Sequence, residues 1–478
     1  MRRLSRQATP DGALLGASAG DATGIVHLGL GNFHRAHAAV YTAHALAAEP
    51  GEWGDCGVYG FANRSHDVVS AMRAQDGRYS ILELSDQGRR AGVIDVHRSL
   101  GVLADDPEGF VAAIADPAHR ILTLTVSEVG YCRSARTGTL DVERDDVRSD
   151  IADPTHPRST IGLIARGLAV RAASGAPITV LSCDNLQSNG RATRAVLTEF
   201  LHASAASGDV LNFVDNHVTF PNSMVDRLVP GTTAQTVADV AGLMHVDDRC
   251  PVPAEDFTMW VLEDHFAAGR PASDRAGAIM SDEVEAYELV KLRLLNGSHS
   301  LIAYLGLLDG HPTIADAWAQ GFVRDAVRAC IANEYLPSIT LPRGFDVDVY
   351  VDSLSHRWAN SALGHRTSQV CTDGSVGNNV RSGIRGATLM DVVAARSRRV
   401  RQPRQNGKYF VIPSPTGPGG SGRRRGIRQG QVGGLKTDLQ PRPGTAQRLS
   451  TKGSGRMISR LCGARLPSIG QFLSGSAQ

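Results

Sequence analysis

From residue 23 onward, two hydrophobic periods alternate along the chain. GIVHLGL (24–30) is a short run of Leu and β-branched residues. It breaks at glycines and passes into the alanine-rich helical pattern of HRAHAAVYTAHALA, so it predicts a strand–turn–helix unit. DCGVYGFA reads as a second strand, SHDVVSAMRAQ as a helix, and RYSILEL and GVIDVH as further strands. HRILTLTVSE (119–128) and APITVLSCDN (176–185) are strongly β-prone, and the helix-like TIGLIARGLAVRAAS lies between them. Strands alternating with helices predict an α/β domain with a mostly parallel sheet. Ligands of such sheets bind beyond the carboxyl ends of the strands. Glu128 and Asn185 fall at those ends.

After about residue 280 the strand period fades. EAYELVKLRLLNGSHSLIAYLGLL, TIADAWAQGFVRDAVRACIANEYL and DVDVYVDSLSHRWAN carry helical periods and predict a separate helical domain over 281–376. Asp282 followed by Glu285 matches a capping box at its first helix. The expected organisation is a flexible arm over 1–22, the α/β domain over 23–280, the helical domain, and a tail over 377–478. The tail is rich in Arg, Gly, Pro and Gln without a sustained period, a composition expected to be disordered. No internal repeat is present.

Composition changes this picture in two places. The 478 residues are 42% hydrophobic and 21% charged, which is ordinary for a globular chain of two or three domains. No apolar run approaches the ~20 residues of a membrane span, and the first residues lack the apolar core of an export signal. Seven dispersed cysteines, none at metal-ligand spacing, predict reduced thiols in the cytoplasm and no metal site. The net charge of +2 conceals a split, because residues 381–478 carry +17 and the rest of the chain −15. An arginine-rich tail can bind phosphate backbones. Here its aromatics are only Tyr409, Phe410 and Phe472, so the stacking platforms of a nucleic-acid binder are missing.

The candidate chemistry begins at HLGLGNFHRAH. Gly29-x-Gly31 after a strand lets backbone N–H groups approach a pyrophosphate. The third position of G-x-G-x-x-G is His34, so dinucleotide binding and a plain tight turn both stay open. The second strand ends in Asn63 and Arg64, where an Asp or Glu would select NAD; an arginine there could instead meet a 2′-phosphate. KLRLLNGSHS places three polar residues on a leucine-rich helix. With Lys291 at 0°, Asn296 falls near ~140° and His299 near ~80°, one broad face about 12 Å long. A desolvated lysine is a usable general base, and Asn and His donors beside it could hold a developing oxyanion. The bland alternatives are a snorkelling lysine and a satisfied core histidine. FPNSMVDR (220–227) reads as a structural turn, with Asp226 either lining a site or pairing with a base.

In order along the chain, GLGNFHRAH, QDGRYS, TVSEVGYC, LSCDNLQSNG, FPNSMVDR, WVLEDHFAAGRP, KLRLLNGSHS and HRTSQVCTDGS resemble the long-chain mannitol dehydrogenase family of polyol and sugar-acid dehydrogenases. They span residues 25–375, nearly three-quarters of the chain. The resemblance implies a Rossmann-like N-terminal domain, a mostly helical C-terminal domain, and zinc-independent hydride transfer between a nicotinamide cofactor and a secondary alcohol. It implies Lys291 as general base and Asn185 and Asn296 as the carbonyl-polarising amides. His299 would orient the substrate, Glu128 would relay protons, and Asp226 would border the substrate. Gly29, Gly31, Asn32, Phe33 and Arg64 are the expected cofactor contacts. The cofactor is expected to be NAD, with NADP as the alternative. The substrates are expected to be D-mannitol and D-fructose, with D-fructuronate reduction second, in a monomer or dimer.

The resemblance stops after Asp373-Gly374-Ser375. The family continues S-x-K-x-P-x-R, whereas Gly377 stands here in place of the substrate-contacting lysine. An out-of-frame translation of a GC-rich gene over 377–478 accounts for the break, and an added tail is the rival. Reading the other two frames after codon 376 for K-x-P-x-R separates them. Loss of the normal C-terminal helices would leave a catalytically impaired relative.

Overall fold

The structure, a computed structural model, describes residues 1–54 and 56–371. Its main sheet has six strands: β1 (Ala22–Leu28), β2 (Cys56–Ala62), β3 (His97–Val102), β4 (Ile121–Leu124), β5 (Ile178–Ser182) and β6 (Val218–Thr219). All pairs are parallel, in the order β3-β2-β1-β4-β5-β6. This is the Rossmann-type order, in which two mononucleotide-binding halves meet between β1 and β4. β1, β4 and β5 are largely apolar because both faces of the sheet are covered there. Ile25, Val58 and Ile121 pack on one side with Ala39 and Val40; Val26, Leu122 and Leu124 pack on the other with Phe110, Ile164 and Leu168. The expected α/β domain is thus present, followed by the helical region.

Several expectations are corrected. The first residues are docked rather than flexible. Arg2–Arg3 pairs in parallel with Val246–Asp247, and Leu4 is fully buried. The second half of FPNSMVDR is a strand, not a turn. β7 (Ser223–Asp226) pairs antiparallel with β8 (Met259–Leu262), and all four β7 residues are buried. Asn222 ends the turning part. Its Oδ1 accepts the N–H groups of Gly190 (2.9 Å) and Arg191 (3.2 Å) at the start of the helix Asn189–Ala203.

From Val284 onward the described residues form helices. Leu294, Ile302, Val327, Leu354 and Trp358 lie in their shared core. The capping box at Asp282 is absent, because the helix α1 (Val284–Val290) has Glu283 at its N-cap without a side-chain cap bond. Asp282 instead accepts from Arg343 Nη2 at 2.9 Å, and Glu285 accepts from Ser188 Oγ at 2.5 Å. An arginine fork makes a stronger, charge-assisted partner than a backbone N–H. The tail over 377–478, and Gly377 with it, lies outside the described residues.

Candidate active site

The glycine turn sits at the carboxyl end of β1, beside the switch point. Gly29 has φ +108°, and a Cβ there would lie 2.0 Å from the Thr125 carbonyl oxygen, so only glycine fits. At Gly31 an added Cβ would meet nothing nearer than the Gly29 oxygen at 3.8 Å, which leaves the outer side of the turn open. This cradle fits a pyrophosphate laid close to the backbone. Asn32 braces the turn: its Nδ2 donates to Thr232 Oγ1 at 3.1 Å and its Oδ1 accepts from Arg35 Nη2 at 2.6 Å. Phe33 stacks on His37, with 5.2 Å between ring centroids. Arg64 is exposed, two residues beyond the end of β2.

His34 explains the missing third glycine. That glycine normally permits close helix–strand packing. Here the buried imidazole of His34 fills the gap, stacked 3.4 Å over His27 with its Nε2 3.0 Å from His97 Nε2. Burial pushes His27 down to about 4 and His97 down to about 3, and it holds His34 well below the ordinary value, with the neighbouring imidazoles and Arg35 acting in the same direction. All three are therefore neutral at pH 7. The unfolded chain takes up protons on them below about pH 6.5 while the fold resists, at about 1.4 kcal/mol per histidine per pH unit. Their stability term is complete above pH 6.5 and is lost as pH falls toward the folded values. Denaturant unfolding between pH 6.5 and about 4 is expected to show uptake of roughly three protons from this cluster, and His34→Gln to reduce it by about one. An unchanged slope in that variant would sink the assignment.

The lysine helix departs from the wheel drawn above. Lys291–Gly297 is wound as a π-helix between α1 and α2 (Ser298–Asp309). Hydrogen bonding i→i+5 sets Asn296 about one turn above Lys291. Lys291 is 9% exposed. Its Nζ donates to Asn185 Oδ1 at 2.6 Å and to the Val225 carbonyl. Asn185 comes from the loop after β5 and Val225 comes from β7, so the ammonium joins three elements. Asp226, next to Val225, is buried. Its two oxygens accept from Arg357 Nη1 and Nη2, both at 2.9 Å, and Arg357 also donates to Glu255 at 2.9 and 2.7 Å. Burial pushes the Asp226 carboxyl up, but Arg357 and Lys291 outweigh it and hold the carboxyl below its usual range. At Glu255 burial wins and the carboxyl is raised. His299 is buried edge-on to His365, with centroids 4.8 Å apart, on a small cavity shared with Arg357 and Asn360.

The structure therefore brings Lys291, Asn185 and Asp226 to one place, with Asn296 and His299 on the same continuous helix. Glu128 is exposed in the short helix Ser127–Gly130, and among the described residues no hydrogen bond joins it to Lys291. A carboxylate that the sequence reading missed stands closer. Glu288 is half-buried three residues before Lys291, and it accepts the Ser188 N–H at 3.2 and 3.1 Å. Burial pushes it up to about 7, with Lys291 acting against that rise. The Glu-x-x-Lys spacing on one helix face was the available signal. Arg357 and Glu255 gave none, since their pairing with Asp226 is tertiary.

Residues 23–275 match the Mannitol dehydrogenase Rossmann domain, and residues 283–381 match the Mannitol dehydrogenase C-terminal domain. The D-mannonate oxidoreductase of Escherichia coli (strain K12) is 38% identical over 353 residues, 73% of this chain and 72% of that protein. The polyol:NADP oxidoreductase of Gluconobacter oxydans (strain 621H) is 34% identical over 359 residues, again 73% and 72%. Among solved structures, Pseudomonas fluorescens mannitol 2-dehydrogenase in ternary complex with NAD and D-mannitol aligns with a TM-score of 0.75 and 30% identity, over 86% of this chain and 87% of that one. No helix of the described residues is long and apolar enough to cross a membrane.

Proposed function

The chain belongs to the mannitol dehydrogenase family of oxidoreductases acting on polyol CH–OH groups, and on that premise we propose that it interconverts D-mannitol and D-fructose with Lys291 as the base. The observation that carries this reading is the Lys291 ammonium held 2.6 Å from Asn185 at the carboxyl end of β5, on the ligand side of the sheet. A bound nicotinamide supplies the acceptor for the hydride leaving the alcohol carbon. In its free-base form Lys291 takes the hydroxyl proton as that hydride departs, becoming the ammonium. Asn185 offers its Oδ1 to the lysine, which leaves its Nδ2 donors for the substrate oxygen, and Asn296 adds a second amide. His299 orients the polyol from its cavity, and Asp226 borders it. Glu288 receives the proton from Lys291 and passes it outward. Gly29, Gly31, Asn32 and Phe33 form the turn under the pyrophosphate. Among the described residues no two cysteines form a disulfide, which suits the cytoplasm.

The 38% identity to a D-mannonate oxidoreductase supports a second reading, reduction of the sugar acid D-fructuronate. Oxidation of NADH and NADPH by the purified chain, with D-fructose and D-fructuronate side by side, separates the two. D-Fructose is expected to give the faster turnover. A faster reaction with D-fructuronate would establish the second reading, and turnover with neither substrate would overturn both.

A further inference from the structure

We propose that Tyr335 is a positioning residue for Lys291: its ring, seated against Gly297, holds the lysine helix in the π-winding that sets Asn296 above the lysine. The inference rests on the dehydrogenase reading above and adds to it a residue from a different helix. α1, the segment Lys291–Gly297 and α2 form one continuous helix, and only the middle segment departs from α-winding. Such winding is rare and asks for a local cause. No proline lies between Val284 and Asp309 to supply it.

A cause stands across the helix interface. A second π-segment, Ile331–Tyr335, follows the helix Gly321–Cys330 and packs on the first. Its last residue, Tyr335, is 2% exposed. A Cβ built on Gly297 would lie 2.9 Å from the Tyr335 Cζ and Oη and 3.2 Å from Cε2, so only a glycine lets the ring come this close. Burial pushes the Tyr335 phenol up and Cys330 adds to the rise, while Arg293 opposes it, so the ring meets the first π-segment at Arg293 as well as at Gly297. Pro337 fixes the ring from its own side. It has no N–H to give, and its ring would press on the carbonyl four residues back, so the α-pattern cannot run on past Tyr335. The winding decides the geometry at the lysine. In an α-helix Asn296 stands ~140° around from Lys291, whereas i→i+5 winding sets it about one turn above. A segment that rewinds to α turns one side of the helix by about 100° and slides it by about 1.5 Å against the other. Lys291 would keep its chemistry and lose its alignment with Asn296 and His299.

Two readouts on the full chain test this. One is turnover of D-fructose and D-fructuronate with NADH and NADPH. The other is labelling of Lys291 by an amine-reactive ester, read by peptide mass; Lys291 is the only lysine before Lys408, so its peptide reports it alone. Gly297→Ala and Tyr335→Leu are each expected to lower turnover by about 10- to 100-fold, with coenzyme affinity within about threefold of the parent. Each should also raise Lys291 labelling by about tenfold, as the lysine leaves its partners more often. Because the two changes break one contact, the double variant should lose no more than about threefold beyond the worse single one. Tyr335→Phe keeps the ring and should keep turnover within about threefold. Val327→Ala opens a cavity in the same core. It should lower the thermal midpoint while turnover per folded molecule and Lys291 labelling stay close to the parent. Losses that multiply in the double variant would overturn the proposal, since they mark two separate effects. A Val327→Ala variant that loses as much turnover would overturn it as well, because a softened core would then be the cause. So would Lys291 labelling that stays unchanged in both Gly297→Ala and Tyr335→Leu. Labelling that responds as expected in a parent chain without turnover on either substrate would uphold the positioning and sink the dehydrogenase reading.

Discussion

Lys291→Ala is expected to lower polyol oxidation by about 10²- to 10⁴-fold, the usual worth of a positioned general base. Coenzyme affinity should stay within about threefold, because the lysine lies off the glycine turn and joins β5, β7 and the π-helix instead. A purely structural lysine would behave differently. Its loss would free Asn185 and the Val225 carbonyl, lower the thermal midpoint, and resist rescue. A catalytic lysine should be replaced in part by added small amines, with turnover rising in proportion to the free-base amine. The pH profile carries the second half of the test. Glu288, at about 7, accepts a proton only while ionised. The oxidation rate should therefore fall below about pH 7 in the parent, and that limb should vanish in Glu288→Gln. An acid limb that survives the substitution would assign it to another group and return the relay to Glu128.

Much of this site was legible from residue order alone, and the reasons differ by element. β1, β4 and β5 showed as apolar runs because a sheet covered on both faces asks for nothing else. The glycine turn showed through Gly29, whose positive φ and contact with Thr125 tolerate no side chain. His34 blurred that signal, because an imidazole stack replaced the glycine contact and the stack involves His27 and His97, distant in sequence. The polar trio was visible on its helix, but the π-winding that sets Asn296 above Lys291 was not, since hydrophobic spacing carries no mark of a local i→i+5 bond. FPNSMVDR read as a turn because a four-residue strand is too short to declare a period. Glu128 looked well placed at a strand end, while Glu288 passed as one more helix-surface charge. The difference between them is burial, which a single chain does not print. The docking of the first residues through Leu4 was hidden for the same reason.

Arg357→Met is expected to cost about 3–5 kcal/mol of stability, the penalty of stranding buried charge. Arg357, Asp226 and Glu255 are 6%, 3% and 0% exposed, and the arginine serves both carboxylates at once. With it gone, burial is opposed at Asp226 by Lys291 and His37, and at Glu255 by the Leu228 N–H and Arg227. Both carboxyls then shift upward. The sign follows directly. In the parent, Asp226 sits below its ordinary value, so its contribution is present at neutral pH and is lost only as acid protonates it. In the variant the raised carboxyls favour the protonated form, so lowering the pH from about 7 toward 5 should recover stability from these two groups. The histidine cluster works in the opposite direction over the same range. The comparison is therefore the difference between variant and parent unfolding free energies, which should shrink with acidification. Arg357→Lys restores a charge without the fork and should fall between the two. Turnover should drop along with stability, because Asp226 adjoins the Val225 carbonyl that holds Lys291. A variant whose stability deficit is the same at pH 5 as at pH 7 would mean that the carboxylates find other partners, and that this buried cluster does not hold β7 in place beneath the lysine.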